Sequence, residues 1–202
     1  MSNLAIAGKT TNKAYYIAVD TETGGIGPEV SLLTAYFYVM DQNFKKVADL
    51  SLAIKPDNDI YHVTAEALSI NKINLIEHQK TAISSSEAGM KLRNFLVELT
   101  NQGATKLVPI GHNVAFDLEK IYANVLNKKE AQKYVSYRLL DTGVIAQFMK
   151  AAGILPDSVS GSLESLVLYF GVEKQVAHTA EGDVLMTVGV LQKQLEKVNA
   201  VS

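Results

Sequence analysis

Ala14-Tyr15-Tyr16-Ile17-Ala18-Val19-Asp20-Thr21-Glu22-Thr23-Gly24-Gly25 is the stretch on which the fold turns. An apolar run with aromatic and β-branched residues stops at two carboxylates and a pair of glycines. That pattern predicts a strand, Ala14–Asp20, that delivers polar groups to its own end. Two more strand-like runs follow. Val30–Met40 is aromatic and β-branched, and Val47–Lys55 alternates and stops at Pro56. The short connections predict an antiparallel meander whose first turn is Gly24-Gly25-Ile26-Gly27-Pro28.

Helical spacing then takes over. Thr64–Ile70 reads as a short helix. Ser84 and Glu87 form a capping box ahead of Leu92, Phe95, Leu96 and Leu99. Lys106–Ile110 is a short strand ending at Gly111-His112-Asn113. Past it, Val114, Leu118, Ile121, Tyr122 and Val125 share one helix face. Val144, Ile145, Phe148, Met149 and Ala152 share a second. Leu163, Leu166, Val167 and Phe170 make a third, closed by Gly171. Val184, Val188, Leu191, Leu195 and Val198 mark a long last helix. Three strands followed by alternating strand and helix predict an α/β fold, a mixed sheet flanked by helices.

Bulk composition excludes several function classes. The chain has 202 residues, 48% hydrophobic and 20% charged, which suits one globular domain over residues 1–202. With no cysteine, disulfides, thiolate metal sites and cysteine nucleophiles are ruled out, and a cytoplasmic setting is expected. No apolar run is long enough to span a bilayer, so no membrane partner is expected. Within Met1 to Tyr16, the Leu4–Ala7 patch is too short for the core of a signal peptide. The net charge of −2 cannot hold a polyanion by bulk attraction. A nucleic-acid partner would have to be gripped by bound metal and a few local cations. Lys128, Lys129, Lys133 and Arg138 form the local basic cluster, which a solvated face explains as well as a phosphate contact does.

Three short motifs carry chemistry. Asp20 and Glu22 are two apart on a strand, so both side chains face the same way. Carboxylates held that close repel unless a cation lies between them, and oxygen-only ligands suit Mg²⁺ or Mn²⁺. A solvated strand end with incidental acids also fits that pair. Gly111-His112-Asn113-Val114-Ala115-Phe116-Asp117 is a strand end, a glycine turn and a helix start, with Asp117 in the first helical turn. There a carboxylate is favoured by the helix dipole in any case. His178-Thr179-Ala180-Glu181-Gly182-Asp183 places a titratable base just before the last helix and a carboxylate inside it, with Thr179 as N-cap. His112 is read as shaping its turn, and Asp141 as starting a helix. His62 and His78 are read as solvent-facing or locally hydrogen-bonded.

In this order, each on the element it requires, the motifs resemble those of the DEDD superfamily of 3′→5′ exonucleases, in its histidine-bearing branch. The matching segments are Val19 through Gly25, Gly111 through Asp117 and His178 through Asp183, with echoes at Leu140-Asp141-Thr142 and Ser162 through Leu166. That branch includes proofreading subunits of bacterial replicative polymerases, ribonuclease T and oligoribonuclease. The resemblance implies a ribonuclease H-like fold and two divalent cations per site. It implies that Asp20 bridges both cations, and that Glu22 and Asp183 hold the one that activates water. Asp117 would serve the second, and His178 would take the proton. Thr21, Thr23, His112 and Asn113 become candidates to touch substrate.

What the resemblance implies is a metal-dependent hydrolase that releases 5′-mononucleotides from the 3′ end of single-stranded DNA. A DNA polymerase is a candidate partner. A ribonuclease of the ribonuclease T or oligoribonuclease type is the alternative within the same chemistry. A non-catalytic nucleic-acid-binding module is the alternative outside it, and the intact acidic set counts against that. One departure stands out: many proofreading subunits carry a second threonine where this chain has Gly24, and a glycine there is expected to widen the space beside the terminal nucleotide.

Overall fold

The computed structural model describes residues 13–104 and 106–200. The Leu4–Ala7 patch lies outside the described residues. The meander is present as β1 (Tyr16–Thr23), β2 (Leu32–Met40) and β3 (Lys46–Lys55), paired antiparallel. Its second turn is organised by Asp41, whose buried carboxylate accepts from the amides of Asn43 at 2.8 Å and Lys45 at 3.0 Å. β5 (Val108–Gly111) adds to β1 in parallel, and β6 (Leu140–Asp141) to β5. With β4 (Ile83–Ser84) on the far edge, the six-stranded order is β4-β3-β2-β1-β5-β6. β1 is therefore central, flanked by one antiparallel and one parallel neighbour.

Alternation along β1 sorts its residues between two faces. Ile17 and Val19 enter a core shared with α3 (Ser85–Asn101) and α4 (Val114–Asn124). Ala18 enters a second core with Tyr36, Ile110 and the start of α8 (Ala180–Asn199). A third cluster packs α8 against α6 (Thr142–Ala151) and α7 (Leu163–Phe170). Asp20 and Glu22 continue the row begun by Ala18, so they project onto the α8 face. Thr21 continues the row of Ile17 and Val19, toward α4. Register places Asp20 opposite Tyr36 and Glu22 opposite Thr34, and pairing slips between Glu22 and Thr23, where the strand leaves the sheet.

Helix ends follow their side-chain chemistry. Thr64, Ser84 and Thr179 each accept an amide of the following first turn, and Gly171 closes α7 in the left-handed conformation, φ 63°. Asp141 caps α6 through the amides of Gly143 and Val144, and also accepts from the amide of Val114 at 2.9 Å. One carboxylate thus orients the starts of two helices, as its reading as a helix-starter requires.

The apolar face read for α6 needs correction. Val144 and Phe148 are 67% and 64% exposed, while Ala146 and Met149 are buried. The buried stripe of the helix is Thr142, Ala146 and Met149, narrower than its sequence suggests. α1 (Ala65–Asn71) is followed at once by α2 (Leu75–Thr81), which sequence periodicity does not reveal, since His78 is its only buried residue. His78 Nε2 donates to the Leu33 carbonyl at 2.8 Å, and its Nδ1 accepts from the Tyr61 hydroxyl at 3.1 Å. α5 (Lys128–Ala131), with its lysines, follows the far end of α4, and nearby Val135 bridges Leu107 at the start of β5. The carboxylates of β1 sit at the other end of the sheet. Among the described residues no helix is long and apolar enough to cross a membrane.

Candidate metal centre and active site

The strand face fixed above brings β1 and α8 together at their functional ends. One carboxylate oxygen each from Asp20, Glu22 and Asp183 lies within 4.8 Å of the others. All three residues are half-buried, and no lysine or arginine pairs with any of them among the described residues. Uncompensated acids in such a place resist ionisation. Burial, then the charges of Asp117, Asp183 and Glu22, hold the Asp20 carboxyl well above the usual range. Burial, then Asp183 and Asp117, push Glu22 up to about 7. Burial also raises Asp183, and the adjacent ring and backbone of His178 draw it partly back.

Asp117 stands apart from that trio. It approaches from α4, on the opposite side of β1, and is buried. Its Oδ1 accepts from the Thr21 hydroxyl at 2.7 Å. Burial lifts it to about 7, against the pull of Thr21. Three of the four sequence-read acids are therefore gathered, and the fourth stands across the strand end, close enough for its charge to be felt by Asp20 and Glu22.

His178 is exposed and adopts φ 61°. A non-glycine residue held there is strained, by about 1 kcal/mol or more, and such strain gathers at functional positions. With Glu22 it lines a cavity of about 220 Å³, whose other walls include Tyr36, Ser51, Asn71 and Ile73. The remaining candidates are placed differently. Thr21 is buried and commits its hydroxyl to Asp117, so its side chain holds an acid in place. Thr23 donates to the Gly25 carbonyl at 2.6 Å and stiffens the turn after β1. His112 is half-buried, its Nδ1 paired with Thr142 Oγ1 at 2.9 Å, and burial lowers its pKa. Asn113 is exposed at φ 64° and makes no capping hydrogen bond with its side chain.

Sequence reasoning missed the Asn71–Ile73 wall. Asn71 is buried at the end of α1, donates to the Thr23 carbonyl at 3.1 Å and accepts from the amide of Ile73 at 3.0 Å. Lys72 between them is left-handed, φ 56°. Asn74, a capping residue that opens the helix just after α1, was the available signal. Gly24 also needs correction. A Cβ there would collide with the His62 carbonyl oxygen and with Val63. The glycine opens no space for a nucleotide; it lets the 61–64 segment lie directly against the turn, where the Thr64 amide donates to the Gly24 carbonyl at 2.7 Å.

The raised carboxyls have a consequence for stability. A carboxylate whose folded pKa exceeds its unfolded value keeps a proton in the folded chain that the unfolded chain has already released. Between the ordinary carboxylate range and about 7, the value for Glu22 and Asp117, stability therefore falls as pH rises. Metal-free protein is expected to melt at progressively lower temperature across that window. Added Mg²⁺ should restore the loss above neutrality and do little at about pH 5, where protons occupy the ligands. Melting curves with Mg²⁺ or chelator at both ends of the window check this; a Mg²⁺ effect independent of pH contradicts it.

No family model matches the sequence, and no curated protein does. Solved structures do. The chain is similar to E. coli exonuclease I in complex with a dT13 oligonucleotide, with TM-score 0.70 and 18% identity over 94% of this chain and 43% of that one. It is similar to the ExoI/SSB-Ct complex, with TM-score 0.72 and 17% identity over 94% and 42%. The zinc-bound form of the E. coli ExoI–ssDNA complex gives TM-score 0.69 and 20% identity over 94% and 42%. The chain spans less than half the length of each of these proteins. What the likeness establishes is architecture: this mixed six-stranded sheet flanked by helices is the ribonuclease H-like fold of exonuclease I.

Proposed function

We propose that the chain is a metal-dependent 3′→5′ exonuclease of the histidine-bearing DEDD type, acting on single-stranded DNA and releasing 5′-mononucleotides. The observation that carries this reading is the trio Asp20, Glu22 and Asp183, half-buried, within 4.8 Å and, among the described residues, paired with no lysine or arginine. An all-oxygen donor set of that kind fits Mg²⁺ or Mn²⁺. Asp20 would hold both ions, Glu22 and Asp183 the first, and Asp117 the second. When bound, a pair of such ions roughly 3.5–4 Å apart aligns the attacking water and neutralises the leaving oxygen.

The chain's own groups supply the rest. His178, on the cavity wall beside Asp183, accepts the proton of the attacking water at a ring nitrogen. Thr21 keeps Asp117 turned toward the strand end. The cavity behind Glu22 and His178, floored by Tyr36 and Ser51 and closed by Asn71 and Ile73, takes the terminal nucleotide. Single strands are favoured because a chain of net charge −2 offers no broad basic face to a duplex. Structural neighbours solved with oligonucleotides agree with that preference. The catalytic unit is one domain.

Digestion of a 5′-labelled single-stranded oligonucleotide with Mg²⁺ tests the reading. A ladder of progressively shorter labelled products is expected, faster than from duplex DNA or RNA and absent with chelator. Immediate release of labelled mononucleotide, or cutting of a circular single strand, would overturn the polarity or the exonuclease assignment. Faster decay of RNA would move the substrate class to the ribonuclease alternative.

A further inference from the structure

Lys120 is the only lysine buried among the described residues, at 3% exposure. It sits on α4, three residues beyond Asp117 and on the same side of that helix. No carboxylate pairs with it among the described residues. Its Nζ donates instead to the main-chain carbonyls of Gly27 and, at 3.4 Å, Ile26, and lies 5.1 Å from the centre of the Phe116 ring. An ammonium removed from water is costly unless hydrogen-bonded, and an apolar side chain of the same length would fill the space without that cost. The carbonyl contacts are thus what a lysine adds at this position.

Those carbonyls belong to the turn that follows Glu22 and Thr23. The base of the turn is held from the other side: the Gly24 amide donates to the Ser31 carbonyl at 2.8 Å, and the Ser31 amide to the His62 carbonyl at 2.9 Å. Among the described residues the only side chain that hydrogen-bonds the Ile26–Pro28 tip is that of Lys120. Ile26 at that tip is 90% exposed, an apolar side chain held out beside the acidic trio's strand. α4 is therefore joined to the end of β1 twice, by Thr21 with Asp117 and by the turn's tip with Lys120.

We infer that Lys120 is a positioning residue: its buried ammonium fixes the Ile26–Gly27 tip to the helix that carries Asp117, and so sets the edge against which the substrate's end is bound. The inference deepens the nuclease reading and rests on it for the substrate half of the test alone. A fixed tip serves substrate and transition state equally, so its loss raises KM and spares kcat.

The test uses Lys120→Met and Lys120→Arg in the full chain. Amide hydrogen exchange of Gly24 and Gly25, the hydrogen-bonded amides of the turn, is followed in metal-free, substrate-free protein, and kcat and KM are measured on a single-stranded oligonucleotide with Mg²⁺. Lys120→Met should speed exchange of these two amides by about tenfold or more, the weight of one charge-assisted hydrogen bond, with β1 and α8 amides unchanged. KM should rise by about the same factor with kcat within about twofold, and Lys120→Arg should recover most of both. Unchanged exchange of Gly24 and Gly25 would overturn the inference. So would loss of protection throughout the chain with kcat falling in step, which marks a general packing role. Should Lys120→Met fail to fold, Lys120→Gln, with an amide but no charge, is read the same way. Wild-type protein without nuclease activity would sink the nuclease reading, while the exchange arm would still decide the tie.

Discussion

Asp20→Ala is expected to abolish nuclease turnover, by about 10³-fold or more, and to leave the fold intact. The size follows from the position of Asp20 at the centre of the acidic set. Its carboxyl feels Asp117 from one side of β1 and Asp183 and Glu22 from the other. In the proposed mechanism it is the acid that would serve both cations. Losing the charge stabilisation that such ions provide removes several kilocalories per mole from the barrier-lowering, which is about 10³-fold or more in rate. Among the described residues that carboxylate makes no hydrogen bond or ion pair on which the fold depends. Removing it relieves repulsion, so metal-free Asp20→Ala should melt above metal-free wild type near neutral pH. Single-turnover digestion and paired melting curves measure both effects. Cleavage near the wild-type rate would end the proposed mechanism.

His178→Ala is expected to lower kcat by roughly 10²–10⁴-fold while metal binding survives, the usual contribution of a positioned general base. The residue sits outside the acidic trio, so its removal takes no ligand away. Single-turnover rates at saturating Mg²⁺ and a metal titration of the variant check the two halves. A kcat within a few-fold of wild type would assign the proton to another group. Alanine is preferred to glycine here because glycine at the left-handed backbone of 178 would relax the loop as well as delete the ring.

Both substitutions concern residues that the sequence alone picks out, and the reason is physical. Asp20 and Glu22 are two apart on a strand, and alternation places them together wherever the strand goes. Asp183 and His178 flank a threonine-capped helix start, so their local geometry follows from the cap. Asp117 is visible as an acid in a first helical turn, but its separation from the trio is not. That depends on α4 crossing the sheet face opposite to α8, a tertiary fact. Thr21 is likewise visible as a neighbour of two acids, while its hydrogen bond to Asp117 requires both faces of β1 to be known.

The parts that were illegible share a cause. Asn71 and Ile73 wall the cavity because α1 ends against β1; the helix itself is legible at Thr64–Ile70, but the place where its end docks is not. Gly24 looked like removed bulk, whereas the backbone of 61–64 occupies that volume. Nothing in the sequence singles out Lys120. Its burial follows from a turn 93 residues earlier folding back to meet it. Strand alternation and helix caps are local and can be read; approaches between distant backbones cannot.

The acidic set as a two-cation site is tested most directly by calorimetric titration of Mn²⁺ into the chelator-treated protein with a 5′-mononucleotide present. Two Mn²⁺ per chain are predicted for wild type near neutral pH, and Asp20→Asn should lose both, since the carboxylate common to the two sites is gone. Wild-type protein that takes up no Mn²⁺, or an Asp20→Asn variant that still binds two, would contradict the account.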